Sequence, residues 1–280
     1  MVHGSVPLTS TYIRSMSNRT GIEWTNLTWN PVTGCTQVSA GCDNCYALTL
    51  AHRLLYNHYL KGEPVHNTAE NRRDPFAVRL WRERLKEPLT WPGSQRVFVN
   101  SMGDLFHADV PEEFIREVFE VMLRANQHIY QILTKRPSRL ERFVRRHSAL
   151  FSDGIVPPHI WLGTSIESQQ VAYRADHVRR VKASVRFLSC EPLIAPLRLK
   201  LDGIHWVIVG GESGVAHRPL DLDWVRVIRD DCVAAGVPFF FKQVGGRTPK
   251  AGGRTLDRRT WSQYPQSPKR NSLGRSRSHT

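Results

Sequence analysis

Seven short runs of β-branched and aromatic residues constrain the fold of this chain more than any other feature of its sequence. Several are apolar on both faces, as in parallel strands that helices cover. Helical patterns lie between them, at 111–126, 138–151, 167–181 and 221–236. The runs themselves are 27–31, 96–101, 129–135, 159–165, 185–191, 205–212 and 238–243.

Regular alternation of strand and helix predicts an α/β fold with a parallel sheet. We expect a single-domain (β/α) barrel, partial or complete, because polar residues follow almost every strand and would gather at one rim. A doubly wound open sheet is the alternative, and it would also collect polar residues at the strand ends.

The two ends of the chain differ in composition from its middle. Residues 1–20 are expected to form a flexible leader, residues 21–246 the barrel domain, and residues 247–280 a basic and largely disordered tail. From Gly245 onward there are nine Lys and Arg residues against one Asp. Without an apolar signal segment or membrane-spanning run, we expect a cytoplasmic protein with no membrane partner.

Three of the five cysteines cluster directly after the first predicted strand, as Cys35, Cys42 and Cys45, in a C-x6-C-x2-C arrangement. A chain with an odd number of cysteines and no export signal favours metal binding or redox chemistry over disulfides. Thiolates suit an iron–sulfur cluster or zinc. Zinc needs a fourth ligand, for which His52 and Cys190 are candidates, and buried unliganded thiols are a further alternative.

Acidic and basic residues follow the later strands. Glu191, Glu212 and Lys242 are predicted catalytic residues, because acids and cations around one rim are typical of an active site. Lys135 and Arg136 follow the third strand and could bind a substrate phosphate. Pairing of these acids and cations with one another is the other interpretation.

The cysteine cluster after the first strand of a predicted barrel resembles the radical S-adenosylmethionine (SAM) superfamily. The usual spacing there is C-x3-C-x2-C, and Asn44 stands where an aromatic residue is usual. The chain resembles still more closely an uncharacterised phage and bacterial family labelled by its three-Cys motif. That likeness covers residues 21–246 and includes GCTQVSAGCDNCYA, VFVNSMGDLFH, RFLSCEPL and WVIVGGESG.

The superfamily resemblance implies a set of roles. Cys35, Cys42 and Cys45 would ligate three irons of a [4Fe–4S] cluster, and SAM would bind the fourth. The implied cofactor-binding residues are Asn100, Ser101 and Asp104 after the second strand, with Ser165 and Glu167 after the fourth. An electron donor would drive the reductive cleavage of SAM to a 5′-deoxyadenosyl radical.

The net charge of +14 suggests a polyanionic partner. The basic tail and the segment 135–147, with six Lys and Arg residues against one Glu, are the candidate contacts with nucleic acid. Nucleic acid is therefore a possible substrate of the predicted enzyme. The alternative function is a non-catalytic nucleic-acid-binding protein, stabilised by zinc or a cluster, in a phage or defence setting.

Overall fold

Seven parallel strands lie side by side in chain order in a computed structural model that describes residues 19–54, 61–62, 65–66, 69–248 and 250–266. All seven predicted strands are confirmed. Because the strand order never reverses, the doubly wound alternative is wrong. The strands are β1 (Leu27–Trp29), β2 (Arg96–Val99), β3 (Ile129–Thr134), β4 (Val156–Ser165), β5 (Ala183–Cys190), β6 (Trp206–Gly210) and β7 (Phe239–Gln243).

Helices connect most of these strands and cover the outer face of the sheet. The helices are α1 (Tyr46–Leu54), α2 (Ala69–Arg73), α3 (Glu112–Arg124), α4 (Pro137–Arg146), α5 (Arg174–Arg180) and α6 (Leu222–Ala234). Short 3-10 turns occupy Ala40–Cys42, Arg82–Arg84, Glu87–Thr90, Ser148–Leu150, Ser152–Gly154 and Gln169–Val171. Two-residue strands pair Val32–Thr33 with Arg79–Leu80, and Lys61–Gly62 with Val65–His66.

The sheet is curled around an aromatic interior. Trp24 contacts Phe98 of β2 at 4.6 Å between ring centroids and Trp206 of β6 at 6.2 Å. In a flat sheet those two strands would stand about 19 Å apart, four spacings of about 4.8 Å. One side chain can therefore touch both only because the sheet bends around it, which gives the partial barrel expected from the sequence.

Alternation along the strands divides the core into two layers. Interior-facing residues such as Phe187, Ile208 and Phe240 pack with Trp24 and Trp206. Their neighbours on the opposite face pack against the helices, with Val97, Ile132 and Leu162 in one cluster with α3 and α4. Val207, Phe241 and neighbours pack with α6. Near-continuous apolar strands result because both faces are covered.

The barrel domain extends beyond residue 246. Residues 255–256 and 259–260 form a hairpin whose turn residues Asp257 and Arg258 both have positive φ, and Leu256 and Trp261 are buried against the sheet. The tail expected at 247–280 is thus folded over its described part, which ends at residue 266. Leu256 and Trp261 are two apolar side chains in a basic stretch, and this was too little for the sequence to predict a folded segment. Residues 267–280, and 1–18 of the expected leader, lie outside the described residues.

The two edges of the sheet are covered by the ends of the described chain. Residues 261–263 pair antiparallel with β7, and Arg19 bridges to Leu27 of β1. The Tyr264 hydroxyl donates to the Glu23 carbonyl at 3.3 Å, which links the two coverings below the barrel. The described part of the chain contains no helix long and apolar enough to span a bilayer.

Candidate functional site

The cysteine loop, defined here as residues 35–45, lies over the carboxyl ends of the strands. Gly34 leads into it with φ +87°, and a Cβ there would stand 2.0 Å from the Ala77 carbonyl oxygen, so only glycine fits. The Gly34 N–H donates to the Met102 carbonyl at 2.8 Å, and the Cys35 N–H donates to the Phe76 carbonyl at 3.1 Å. The start of the loop is therefore fixed between two neighbouring segments.

Asp104 and Arg136 form the first of three acid–arginine pairs that reach the cysteine loop. Arg136 Nη1 lies 3.0 Å from Asp104 Oδ2, and Nη2 donates to both the carbonyl and the hydroxyl of Thr36 at 3.0 Å. Asp104 also accepts from the Thr134 hydroxyl at 2.7 Å and from the Phe106 N–H at 2.9 Å. The carboxylate is thus satisfied by protein donors.

The same arginine touches a thiol. Arg136 Nη1 donates to Cys35 Sγ at 3.3 Å. Burial and the nearby Asp104 carboxylate raise the pKa of the Cys35 thiol, while Arg136 acts in the opposite direction. Cys42 also contributes to raising that pKa, so the first two thiols of the loop interact electrostatically.

Glu167 and Arg174 form the second pair, which is almost completely buried. Arg174 Nη1 lies 3.0 Å from Glu167 Oε2 and also donates to the Ser165 carbonyl at 3.0 Å. The other carboxylate oxygen accepts the N–H of Gly41, in the cysteine loop, at 3.3 Å. A Cβ at position 41 would stand 2.9 Å from the Glu167 carboxyl carbon, so the loop packs directly on this acid.

Glu212 and Arg218 form the third pair. Arg218 donates to Glu212 from its backbone and side chain, and it also contacts the Ala40 carbonyl at 2.9 Å and Asp43 at 3.2 Å. Asn44 donates to Glu212 Oε2 at 2.8 Å. Burial alone would raise the pKa of Glu212, but the hydrogen bonds from Arg218 and Asn44 lower it below its ordinary value. This predicted catalytic acid is therefore engaged in holding the loop.

Glu191 and Lys242 form a fourth pair, which differs from the other three. Lys242 Nζ lies 3.4 Å from Glu191 Oε1, and no described residue makes a hydrogen bond with that oxygen. Ser189 donates to the second oxygen at 3.3 Å. A Cβ at Gly210 would stand 2.7 Å from Glu191 Oε1, so the glycine makes room for the carboxylate. Within the described ranges, no hydrogen bond or ion pair joins Glu191 or Lys242 to the cysteine loop.

Asn100 is the most unusual of the predicted cofactor-binding residues. It ends β2 with φ +62°, is only 2% exposed, and neither its amide oxygen nor its amide nitrogen has a hydrogen-bond partner among the described residues. Buried polar atoms are nearly always satisfied, so a side chain with both amide atoms unpaired is a candidate to bind a ligand. Ser101 and Ser165, by contrast, use their carbonyls to accept from Tyr46 and Arg174.

The three loop thiols are the ligands that the sequence implies for a metal centre. All three are half-buried, and Cys35 and Cys45 pack against a small apolar cluster with Trp81 and Met102. In the described residues, no three His, Cys, Asp or Glu side chains stand close enough together to hold a single metal ion. Each thiol of an iron–sulfur cluster binds a different iron, so the thiols need not meet at one point. Three soft thiol ligands in one loop, with the Arg136 guanidinium donating to the Cys35 sulfur, fit such a group.

Several residues of this site gave no signal in the sequence. Arg174 lies inside a predicted amphipathic helix and Arg218 in a loop, where a single arginine is normally solvated. Asn44 was noted only as a departure from a motif. His107 accepts the Asp109 N–H at 3.2 Å and contacts the Thr36 hydroxyl at 2.8 Å. Asn44 and His107 find their partners Glu212 and Thr36 at separations of 168 and 71 positions, which only knowledge of the fold could have linked.

Comparison with known proteins gave one match. The profile of a family described as "Protein of unknown function (DUF5131)" matches residues 19–265. No curated protein and no solved structure matches the chain. The expected likeness to an uncharacterised family is thus confirmed, whereas the relationship to the radical SAM superfamily stays a prediction.

Proposed function

Because this chain belongs to the DUF5131 family, whose function is unknown, we propose a function from the site itself. The protein is a radical SAM-like iron–sulfur enzyme in which Cys35, Cys42 and Cys45 ligate a [4Fe–4S] cluster. The observation that carries the proposal is the attachment of the cysteine loop to three strand ends by three acid–arginine pairs. A loop that only needed a structural staple would not require this many buried charges, since each is costly to desolvate.

When bound, the cluster would pass one electron from an external donor to SAM, which would break the C5′–S bond and give methionine and a 5′-deoxyadenosyl radical. The Asn100 amide offers a buried donor nitrogen and a buried acceptor oxygen directly after β2, the strand that pairs with β1, which suits the polar end of SAM. Glu167 and Asp104 are occupied by arginines and support the site by positioning the loop.

Glu191 and Lys242 remain for the substrate. Glu191 Oε1 is buried without a hydrogen-bond partner among the described residues and lies 3.4 Å from Lys242 Nζ, so this pair keeps hydrogen-bonding capacity that a bound molecule could use. Lys242 can hold an anionic group, and Glu191 can accept or donate a proton at Oε1. Ser189 fixes the other carboxylate oxygen, so that the two oxygens are not equivalent.

Nucleic acid is the substrate class that the surface charge favours. Arg142 and Arg145 on α4 are exposed, and neither has an ion-pair or hydrogen-bond partner in the part of the chain that the structure describes. The same observation supports the second candidate function, a zinc- or cluster-stabilised nucleic-acid-binding protein without catalysis. In either case, the contact would be supported by an affinity for single-stranded DNA or RNA that falls steeply as the salt concentration rises. The double variant Arg142→Glu/Arg145→Glu should show a weaker dependence of affinity on salt than the wild type.

Anaerobic reconstitution decides between the two functions. We expect about four irons per chain, an electron paramagnetic resonance signal after reduction, and 5′-deoxyadenosine when SAM and dithionite are added. Cys42→Ala should lose the iron and the product, whereas Cys232→Ala, which removes a buried thiol in α6, should keep both. Stoichiometric zinc without iron uptake would exclude the enzyme and favour the binding protein.

A further inference from the structure

Arg136 is the one side chain of the described residues that donates a hydrogen bond to a thiol of the cysteine loop. Its Nη1 lies 3.3 Å from Cys35 Sγ. Arg218 also contacts the loop, but it donates to the Ala40 carbonyl and pairs with Asp43 and Glu212. Arg174 contacts Ser165 and Glu167, and it is Glu167 that accepts from the loop at Gly41. Arg136 therefore has an electrostatic relationship with the metal-binding group that its counterparts lack.

The guanidinium of Arg136 is held in place on both sides. Asp104 accepts from Nη1 at 3.0 Å, and the Thr36 carbonyl and hydroxyl accept from Nη2 at 3.0 Å. Asp104 is itself fixed by the Thr134 hydroxyl and by the N–H of Lys135. A donor anchored at three points keeps its direction toward the sulfur, because turning away would break its hydrogen bonds to Thr36 and leave the buried Asp104 carboxylate without its counter-ion.

We propose that Arg136 raises the reduction potential of the cluster by donating a hydrogen bond to the Cys35 sulfur, an inference that rests on the proposed function. Reduction adds one electron and makes the cluster and its thiolates more negative. A cationic N–H donor at a ligating sulfur stabilises that reduced state more than the oxidised state, and hydrogen bonds to sulfur are among the factors that set cluster potentials. Arg136 is thus a positioning and tuning residue with no contact to the reacting atoms.

The test is a redox titration of the reconstituted full-length protein, followed by electron paramagnetic resonance. At a fixed solution potential near the wild-type midpoint, Arg136→Gln should lower the ratio of reduced to oxidised cluster about tenfold, or about 59 mV for a one-electron couple. Arg136→Lys keeps the positive charge and should lower the ratio by less. If the glutamine variant fails to assemble a cluster, the lysine variant still gives a measurable and smaller shift in the same direction.

Arg218→Gln is the matched control. It also removes a cation that pairs a buried acid and contacts the cysteine loop, but Arg218 does not donate to a thiol. We expect the ratio of reduced to oxidised cluster in Arg218→Gln to stay within about twofold of the wild type, since this variant removes only a more distant positive charge. Equal shifts in Arg136→Gln and Arg218→Gln would overturn the inference, because general charge loss would then explain both.

The possible results separate this inference from the function on which it rests. If the wild-type protein holds iron and neither Arg136 variant changes the ratio of reduced to oxidised cluster, the tuning role of Arg136 is refuted and the proposed function is not. Wild-type protein that binds only zinc refutes the proposed enzyme and the tuning role together. A lowered ratio in both Arg136 variants, with Arg218→Gln unchanged, supports the inference independently of turnover.

Discussion

Glu167 uses its two carboxylate oxygens for two different partners, Arg174 Nη1 at 3.0 Å and the Gly41 N–H at 3.3 Å. The side chains of the pair are 1% and 3% exposed. A buried carboxylate of this kind needs both partners, because taking it out of water costs several kcal/mol. The pair therefore couples the stability of the barrel to the position of the cysteine loop.

Removing the arginine of this pair is expected to be costly. Arg174→Met should lower the free energy of unfolding by about 3–5 kcal/mol, because Glu167 would remain buried without its counter-ion. Urea denaturation of the metal-free protein measures this. Arg198→Met removes an arginine whose ion pair with Asp231 lies at the surface, and it should leave the unfolding curve unchanged. Similar losses of unfolding free energy in the two variants would show that burial does not increase the contribution of the Glu167 pair to stability.

Gly41 provides a test of the loop that leaves every charge in place. Gly41→Ala adds a Cβ that would stand 2.9 Å from the Glu167 carboxyl carbon, so either the loop between Cys35 and Cys42 or the buried Glu167 side chain must shift, and the contact that holds the loop changes in both cases. We expect reconstituted iron to fall to less than about half of the wild-type content, since metal sites depend on groups behind the ligands for their alignment. Iron analysis after desalting measures the loss.

Gly21→Ala is the control for that variant. A Cβ at Gly21 would meet nothing within 4 Å, and the residue lies outside the cysteine loop. Its iron content should equal that of the wild type. Full iron content in Gly41→Ala would show that the contact with Glu167 does not set the geometry of the loop.

Replacing Asn100 should stabilise the ligand-free protein and weaken its binding of SAM. Asn100→Gly removes two orphaned amide atoms from a buried place and accommodates the φ of +62° without a side chain. We expect the ligand-free protein to become more stable by about 1 kcal/mol, while affinity for SAM falls at least about tenfold. Thermal unfolding and equilibrium dialysis with SAM measure the two effects.

Asp153→Gly separates the backbone effect from the amide effect. Asp153 has φ +56° but is exposed, so its replacement relieves the same backbone conformation without removing a buried amide. It should stabilise the protein slightly and leave SAM affinity unchanged. If Asn100→Gly keeps wild-type affinity for SAM, the orphaned amide has another purpose.

The strands of this fold could be predicted because both faces of the sheet are apolar. Runs such as 205–212 and 238–243 are composed mainly of apolar residues, which indicates that they are buried. The order of the strands along the chain is also their order in the sheet. The partial barrel was also predicted, but the residues that fill its interior could not be identified, since Trp24 reaches Phe98 and Trp206 from outside the strands. The folded hairpin after residue 250 was hidden for a related reason, because Leu256 and Trp261 are buried by distant partners.

The site could be predicted only as a set of strand ends. Asp104, Glu167, Glu191, Glu212 and Lys242 all lie there, as their positions after predicted strands required. Which acid pairs with which cation depends on loop geometry, so the sequence could not distinguish the three acids that hold the cysteine loop from the looser pair of Glu191 and Lys242. Cluster ligation by the three cysteines stays a prediction of the sequence.

His128 makes the stability of the barrel depend on pH. It is fully buried, its Nδ1 accepts the Gln95 N–H at 3.2 Å, and its Nε2 lies 3.0 Å from the Pro88 carbonyl. Burial lowers the pKa of His128, although the Pro88 carbonyl partly opposes this. The neutral ring is therefore the form that fits the fold.

A lowered pKa fixes the sign of the effect. The unfolded chain takes up a proton at His128 near pH 6.5 while the folded protein does not, so the stabilisation is fully present above that pH and is lost as the pH falls below it. Between pH 7 and 5.5 we expect His128→Gln to flatten the decline in unfolding free energy by about 1 kcal/mol. His107, His159 and His205 also have lowered pKa values, so the decline should become shallower without disappearing. Urea denaturation at four pH values measures the unfolding free energy of both proteins. If the free energies of variant and wild type fall in parallel as the pH is lowered, His128 protonates as readily in the folded protein as in the unfolded chain.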